Sequence, residues 1–209
     1  MSSSGSLTVL LVSTVSIGFL HALAPDHWVP FVSIGRAQNW SRFKLVWITF
    51  LSGIGHVGSS IVIGAVGLAL GFGLTRVTSI ESQRGEVAGL LLIGFGLAYA
   101  VWGLKHFRHH HHLDSRRAVT IWTLVAVFVL GPCEPLIPLM FVSAAHGWRA
   151  VVLTSVLFSV VTIMMMVGQT LLAFTGLEMV HLHKLEHYSH AAAGLVIALT
   201  GGMVMLLGI

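Results

Sequence analysis

Charge is what this sequence has least of. Its 209 residues include seven Asp or Glu and eleven Lys or Arg, whereas a soluble domain carries about a quarter charged residues. So thin a polar coat does not cover a surface facing water, which excludes an ordinary soluble domain. Cysteine is almost absent: Cys133 stands alone, so no disulfide and no dithiol redox pair forms within one chain. Basic residues are few and lie in short stretches between apolar runs, a sign of membrane topology rather than of nucleic-acid binding. No Lys or Arg precedes the first apolar run. Ala22 and Ala24 have cleavage-like spacing, but Pro25 follows at once. The run therefore reads as a retained helix and not as a removed signal peptide.

What is abundant is apolar surface, 56% of the residues. It comes in runs of about 17 to 30 residues, enough to cross a hydrocarbon core about 30 Å thick. These runs predict six helices, over about 7–24, 44–74, 87–104, from 118, 150–174 and 191–209. The first ends at Pro25-Asp26-His27-Trp28-Val29-Pro30, and the fourth is broken at Gly131-Pro132-Cys133-Glu134-Pro135. Loops are expected at about 35–42, at 105–117 and between the other helices. One set of alternate loops holds Arg36, Arg42, Lys44, Lys105, Arg108, Arg116, Arg117 and Lys184; the other holds Arg76, Arg84 and Arg149. The basic excess marks the cytoplasmic side, so both termini are expected outside a multi-pass inner (plasma) membrane protein.

The two broken segments resemble each other. Asp26 follows Pro25 and precedes Pro30 by four residues; Glu134 follows Pro132 and precedes Pro138 by four. Three helices separate the copies, an odd number, so the second copy is inverted. Pro-interrupted segments at matching places in two halves point to a transporter's central site. The expectation is an all-α integral membrane protein with about six transmembrane helices. It forms one domain over 1–209, a 3+3 inverted repeat of about 7–104 and 118–209 around a histidine-rich cytoplasmic loop at 105–117.

Asp26 and Glu134 are the acids expected at membrane depth, where a carboxylate costs about 3 kcal/mol. Glu81, Glu86, Asp114, Glu178 and Glu186 are expected in loops. His21, Asp26 and His27 form an H-x4-D-H pattern that an unbroken helix would splay apart, but Pro25 lets the helix unwind and turn the three inward. Neutral imidazole suits nickel, cobalt, zinc and copper, and a carboxylate offsets charge. His56, inside the second helix among Gly53, Gly55, Gly58, Ser59 and Ser60, completes the set; alone it reads as packing. Cys133 is either a soft ligand beside Glu134 or a small buried apolar residue. Met164, Met165 and Met166 face different ways on a helix and read as packing. His109 to His112, and His183, His187 and His190 at i, i+4 and i+7, are clusters that collect metal loosely or simply face water. Gly67 and Gly71 serve internal packing or a dimer equally well.

The segments His21-Ala-Leu-Ala-Pro25-Asp26-His27 and Gly55-His56-Val-Gly-Ser-Ser resemble the signatures of the nickel/cobalt transporter superfamily. The branch they resemble most is that of six-helix proteins similar to urease accessory protein UreH and the NicO permeases. Gly131-Pro132-Cys133-Glu134 and Pro138 are similar to a segment of the broader group that includes sulfite exporters of the TauE/SafE type. The resemblance implies passage of Ni2+ or Co2+ past His21, Asp26, His27 and His56, with the ion as cargo and no required cofactor. Partners compatible with it are a metallochaperone, urease-type accessory proteins and further copies of the chain. The larger permeases have an H-A-x-D-A-D-H form, whereas here the acid is single and Pro25 precedes it.

Three readings follow. The first is a secondary transporter of a divalent transition metal, with His21, Asp26, His27, His56, Cys133 and Glu134 as the metal set and no enzymatic activity. The second is an exporter of a small anion such as sulfite, disfavoured because two acids and no Lys or Arg are counted at membrane depth. The third is a membrane enzyme or haem-bearing electron carrier.

Overall fold

The structure, a computed structural model, describes residues 3–106, 114–179 and 188–207. They are helical apart from short turns and breaks, with no strand among the described residues. In chain order they form α1 (Ser3–Ala22), a 3-10 turn (Pro25–His27), α2 (Val29–Ala37), α3 (Arg42–Ala69), α4 (Leu74–His106), α5 (Asp114–Leu130), α6 (Leu136–Ala144), α7 (Trp148–Met179) and α8 (Ser189–Leu207). Helices α1, α3, α4, α7 and α8 are long and apolar enough to cross a membrane, and the apolar stretch of α5, Thr120–Leu130, is shorter.

Burial is inverted relative to a soluble bundle. On α3 the buried face carries Thr49, Ser52, His56 and Ser60 beside Leu45 and Ile48, at the three- and four-residue spacing of one helical stripe. The exposed face carries Trp47, Phe50, Leu51, Ile54 and Val62. In water, contiguous apolar surface of this kind drives association; in lipid it is the matching solvent. The protein is a membrane protein.

Two helix ends are set by left-handed residues. Asn39 (φ 51°) follows α2, and Trp40 N–H donates to the Gly35 carbonyl at 2.8 Å. Gly71 (φ 69°) follows α3, and Phe72 N–H donates to the Gly67 carbonyl at 2.8 Å. Both closures satisfy carbonyls that the helix end leaves free. Gly71 is thus a turn residue, and Gly67 packs inside the chain against Val77.

Several boundaries differ from the sequence reading. α2 runs to Ala37, three residues into the expected 35–42 loop; α3 ends at Ala69 and not near 74; and α5 begins at Asp114, a residue expected in the 105–117 loop. α4 begins at Leu74, well before residue 87, so Arg76, Glu81, Arg84 and Glu86 are helical and not in a loop. The polar run 75–86 lowers local hydropathy without ending the helix: Glu81 and Arg84 pair with each other and bond to Ser60 and Ser59 of α3.

The α1–turn–α2 segment runs alongside α7 in the same direction: Ser6 lies beside His146, Gly18 faces Phe158, and Gly35 faces Phe174. α3 runs the opposite way, with Gly53 against Ile163 and Met166 of α7. α5 and α6 lie along α3, with Val129 against Gly55, and Ile137 and Met140 against Gly64. α4 and α8 pack antiparallel with their backbones in contact. A Cβ on Gly89 would meet Met205, one on Gly96 would meet the backbone of Gly194 and Ala198, and one on Gly103 would meet the backbone of His190 and Ala191.

Candidate metal centre

The site is built at the two helix breaks. Ala24 precedes a proline and takes an extended ψ of 133°, as steric clash with the following ring requires. α1 therefore tightens into three-residue turns, Leu23 N–H to the Leu20 carbonyl and Ala24 N–H to the His21 carbonyl. The 3-10 turn then swings His27 back toward the last turn of α1, where His21 sits. In the second break, Pro132 has no N–H to give. The Cys133 N–H instead donates to Ser60 Oγ of α3 at 3.0 Å. The freed carbonyls of Val129 and Gly131 accept from Arg84 Nη2 at 3.0 and 3.4 Å. Irregular backbone at membrane depth persists only when its polar groups are satisfied in this way.

Three imidazoles converge between the breaks. His27 Nε2 lies 3.2 Å from His21 Nε2 and 3.3 Å from His56 Nε2. The three atoms form the one group of potential metal ligands among the described residues, all within 4.8 Å of one another. His27 and His56 are buried, and His21 is partly so. Gly131 makes room for the third ring: a Cβ there would stand 3.4 Å from His56 Nδ1.

The outer nitrogens fix which atoms carry hydrogen. His27 Nδ1 faces Asp26 Oδ1 at 3.0 Å, and His56 Nδ1 faces the Phe128 carbonyl at 3.4 Å. A carboxylate and a carbonyl only accept, so both Nδ1 atoms donate, and a neutral imidazole then turns an Nε2 lone pair inward. The facing Nε2 lone pairs of His27 and His56 give each other no donor, and the one ring N–H that can turn inward is that of His21, so one N–H serves two lone pairs; an unsatisfied group in a buried site costs about 1–3 kcal/mol. A cation among them removes that cost. Metal–nitrogen bonds of about 2.0–2.1 Å in tetrahedral geometry set nitrogens about 3.4 Å apart, close to the two distances found here.

No family model, no curated protein and no solved structure matches this chain.

The other sequence-derived candidates fall into different places. Asp26 stands behind His27, on its far nitrogen, as the carboxylate that orients a metal-binding histidine does. Cys133 is fully buried and touches one corner of the cluster, Sγ 3.4 Å from His21 Nε2. Glu134 is exposed; it lines a cavity of about 150 Å³ that also borders His21, Asp26, His27 and His56. The walls of that cavity opposite the histidines include Gly85, Gly89 and Leu92 of α4 and Val204 of α8. Met166 packs against α3 and Met164 is exposed. His109 to His112, His183, His187 and Glu186 lie outside the described residues, and His190 hydrogen-bonds through Nδ1 to the Tyr99 hydroxyl at 2.8 Å.

Two residues beside the site were not among the expected ones. Glu81, expected in a loop, is helical and 1% exposed, and it accepts from Ser60 Oγ at 2.9 Å and from Arg84. Arg84 lies beside it inside α4, its side chain 16% exposed, and also donates to Ser59 Oγ at 2.7 Å. The signal available was an acid and a base three apart, a pairing distance on a helix, facing the two serines that follow His56. The acid Glu178, also placed in a loop, ends α7 and pairs with Arg42 at 2.7 Å and Arg36 at 3.8 Å.

Proposed function

We propose that this chain is a secondary transporter of a divalent transition-metal ion, nickel or cobalt first, carried through the His21–His27–His56 site. The observation that supports this reading is the convergence of three Nε2 atoms, with the outer nitrogens of two of the rings, His27 and His56, held by a carboxylate and a carbonyl. Three imidazoles replace part of the ion's water, and Asp26 supplies negative charge through His27. The cavity beside them has room for several waters, so an ion arrives partly hydrated. The choice of nickel and cobalt rests on the resemblance of the His21–His27 and Gly55–Ser60 segments.

The transport reading includes six crossings arranged as two inverted halves, with α1–α2 and α5–α6 as broken spans. Its support is pairwise: α1 lies on α7 as α5 lies on α3, α4 pairs with α8, and α2 and α6 are each nine residues long and follow a break. With Arg84 inside α4, only Arg76 and Arg149 remain as basic residues at the end of the 70–73 and 145–147 turns. That favours this end, with both termini, as the outer face of the plasma membrane.

Arg84 bears on the anion alternative. A fixed cation at membrane depth invites an anion, but this guanidinium is engaged by Glu81, Ser59 and two backbone carbonyls. That leaves the histidine site facing a carboxylate and favours a cation.

The test is the nickel, cobalt, zinc and copper content of cells making the protein, compared with cells making His56→Ala at equal membrane abundance. A wild-type-specific rise in one metal identifies an importer and its cargo; a specific fall identifies an exporter. Equal contents for all four metals overturn the reading. Asp26→Asn keeps the side-chain size but removes the charge behind His27. It is expected to weaken cobalt binding by the purified protein about 10- to 100-fold, the usual effect of losing an outer-shell partner. An unchanged titration would remove Asp26 from the site.

A further inference from the structure

Two hollows flank the second break. One is the 150 Å³ cavity at the histidines. The other is a wider, more open groove of about 550 Å³, bordered by Thr75, Thr78, Ser79 and Ser82 and by Glu81 and Glu134. Glu134 and Pro135 border both. On α4 a single turn separates them: Glu81 faces the groove, Gly85 faces the cavity, and Arg84 lies between. The groove is at the end where α3 turns into α4.

We propose that the Glu81–Arg84 pair is the bolt of a gate between the groove and the histidine cavity. Arg84 joins three elements at once. It is anchored on α4, donates to Ser59 of α3, and holds the carbonyls of Val129 and Gly131 at the broken end of α5. Ser60 adds a second tie, donating to Glu81 and accepting from the Cys133 N–H. The wall between the hollows is therefore held by charge and hydrogen bonds around one guanidinium whose side chain is 16% exposed. Arg84 is the partner of Glu81 in an ion pair. A cation arriving through the groove competes with Arg84 for that carboxylate. Once Glu81 turns to the ion, the guanidinium loses its strongest partner, and the carbonyls of Val129 and Gly131 lose the donor that fixes them. The break at 131–135 is then free to move, and the way to Cys133 and His21 opens. A pair buried for packing alone would be an expensive choice, since hydrophobic residues of the same volume often replace such pairs without loss of stability.

This gate rests on the transport reading, but its test needs no metal. Cys133 is the single cysteine of the chain, fully buried and behind the gate, so its thiol reports opening without engineered labels. The full chain in lipid nanodiscs is treated with a charged, water-soluble methanethiosulfonate, and the rate of Cys133 modification is followed by mass. Wild type is expected to react slowly. Glu81→Gln, which keeps a hydrogen bond for Ser60, and Arg84→Gln are each expected to raise the rate at least tenfold, with the double variant no faster than the faster single one. Ile197→Ala, a core truncation away from the groove, is expected to stay at the wild-type rate. Wild-type rates in folded Glu81→Gln would overturn the gate, as would an equal acceleration in Ile197→Ala, which would signify general loosening. If Arg84→Gln does not fold, Glu81→Gln decides. Failure here leaves the metal reading standing, because that reading is decided separately by His56→Ala.

Discussion

His27→Ala is expected to remove the tightest cobalt site of the purified protein, with affinity there falling about 100-fold or more and only loose binding left. Losing an outer-shell partner costs about 10- to 100-fold, and His27 is itself the inner ligand nearest the other two. Its Nε2 is the atom within 3.3 Å of both His21 and His56, so its removal leaves two imidazoles with no common neighbour. The measurement is a Co2+ titration read by visible absorbance, where a tetrahedral site gives intense bands, alongside metal content after gel filtration. His27 is on a 3-10 turn and not on a packed helical stripe, so the variant is expected to elute as the wild type does. Undiminished tight cobalt binding in His27→Ala would mean that the metal is held elsewhere in the chain, and the transport reading through these three rings would fall with it.

Gly96→Ala and Gly194→Ala each prevent accumulation of a folded, monodisperse protein. At Gly96 a new Cβ would press on the Gly194 carbonyl and the Ala198 backbone; at Gly194 it would press on the Gly96 carbonyl and the Ala100 backbone. An overpacked side-chain contact costs about 1–3 kcal/mol because rotamers shift. Here the obstacle is backbone on both sides, which has no rotamer to change, so the two helices must separate along their length. Small residues at helix contacts in lipid let backbones approach and gain packing that apolar solvent does not supply. Gly94, on the same helix, faces no atom within 4 Å, so Gly94→Ala is the matched control and should behave as wild type. Fluorescence-detected gel filtration in mild detergent separates these outcomes. A sharp wild-type peak for Gly96→Ala would show that α4 and α8 are not in backbone contact.

The breaks were legible because proline leaves a local signature. Pro25 and Pro132 each remove a donor, and the acid and histidines around them have no reason to interrupt an apolar run otherwise. His56 was legible from its place on a small-residue stripe. The division of labour within the set was not. Asp26 and His27 are adjacent in the chain, and whether a carboxylate meets the ion or the far side of a ring depends on the turn between them. Glu134 shares its spacing with Asp26, yet it is exposed at a cavity wall. Glu81 and Arg84 were misplaced for a different reason. Hydropathy sums residues one at a time, and a charged pair that satisfies itself across three helices looks identical, in a sum, to a loop that water satisfies.

The glycine seam also limits what can move. Where two backbones touch, each notch receives the facing chain at one height only, and sliding by part of a turn would drive Ala100 and Ala198 into the opposite main chain. α4 and α8 therefore act as a frame. The pieces left to rock are α2 and α6, nine residues each, every one joined to its longer partner through a proline-bearing break. Of the three rings, only that of His27 sits on the break itself; His21 ends α1 and His56 lies inside the unbroken α3. A tilt of α2 about its proline break therefore acts on one ring and leaves the other two on long helices. The cluster is two fixed posts and one hinged arm.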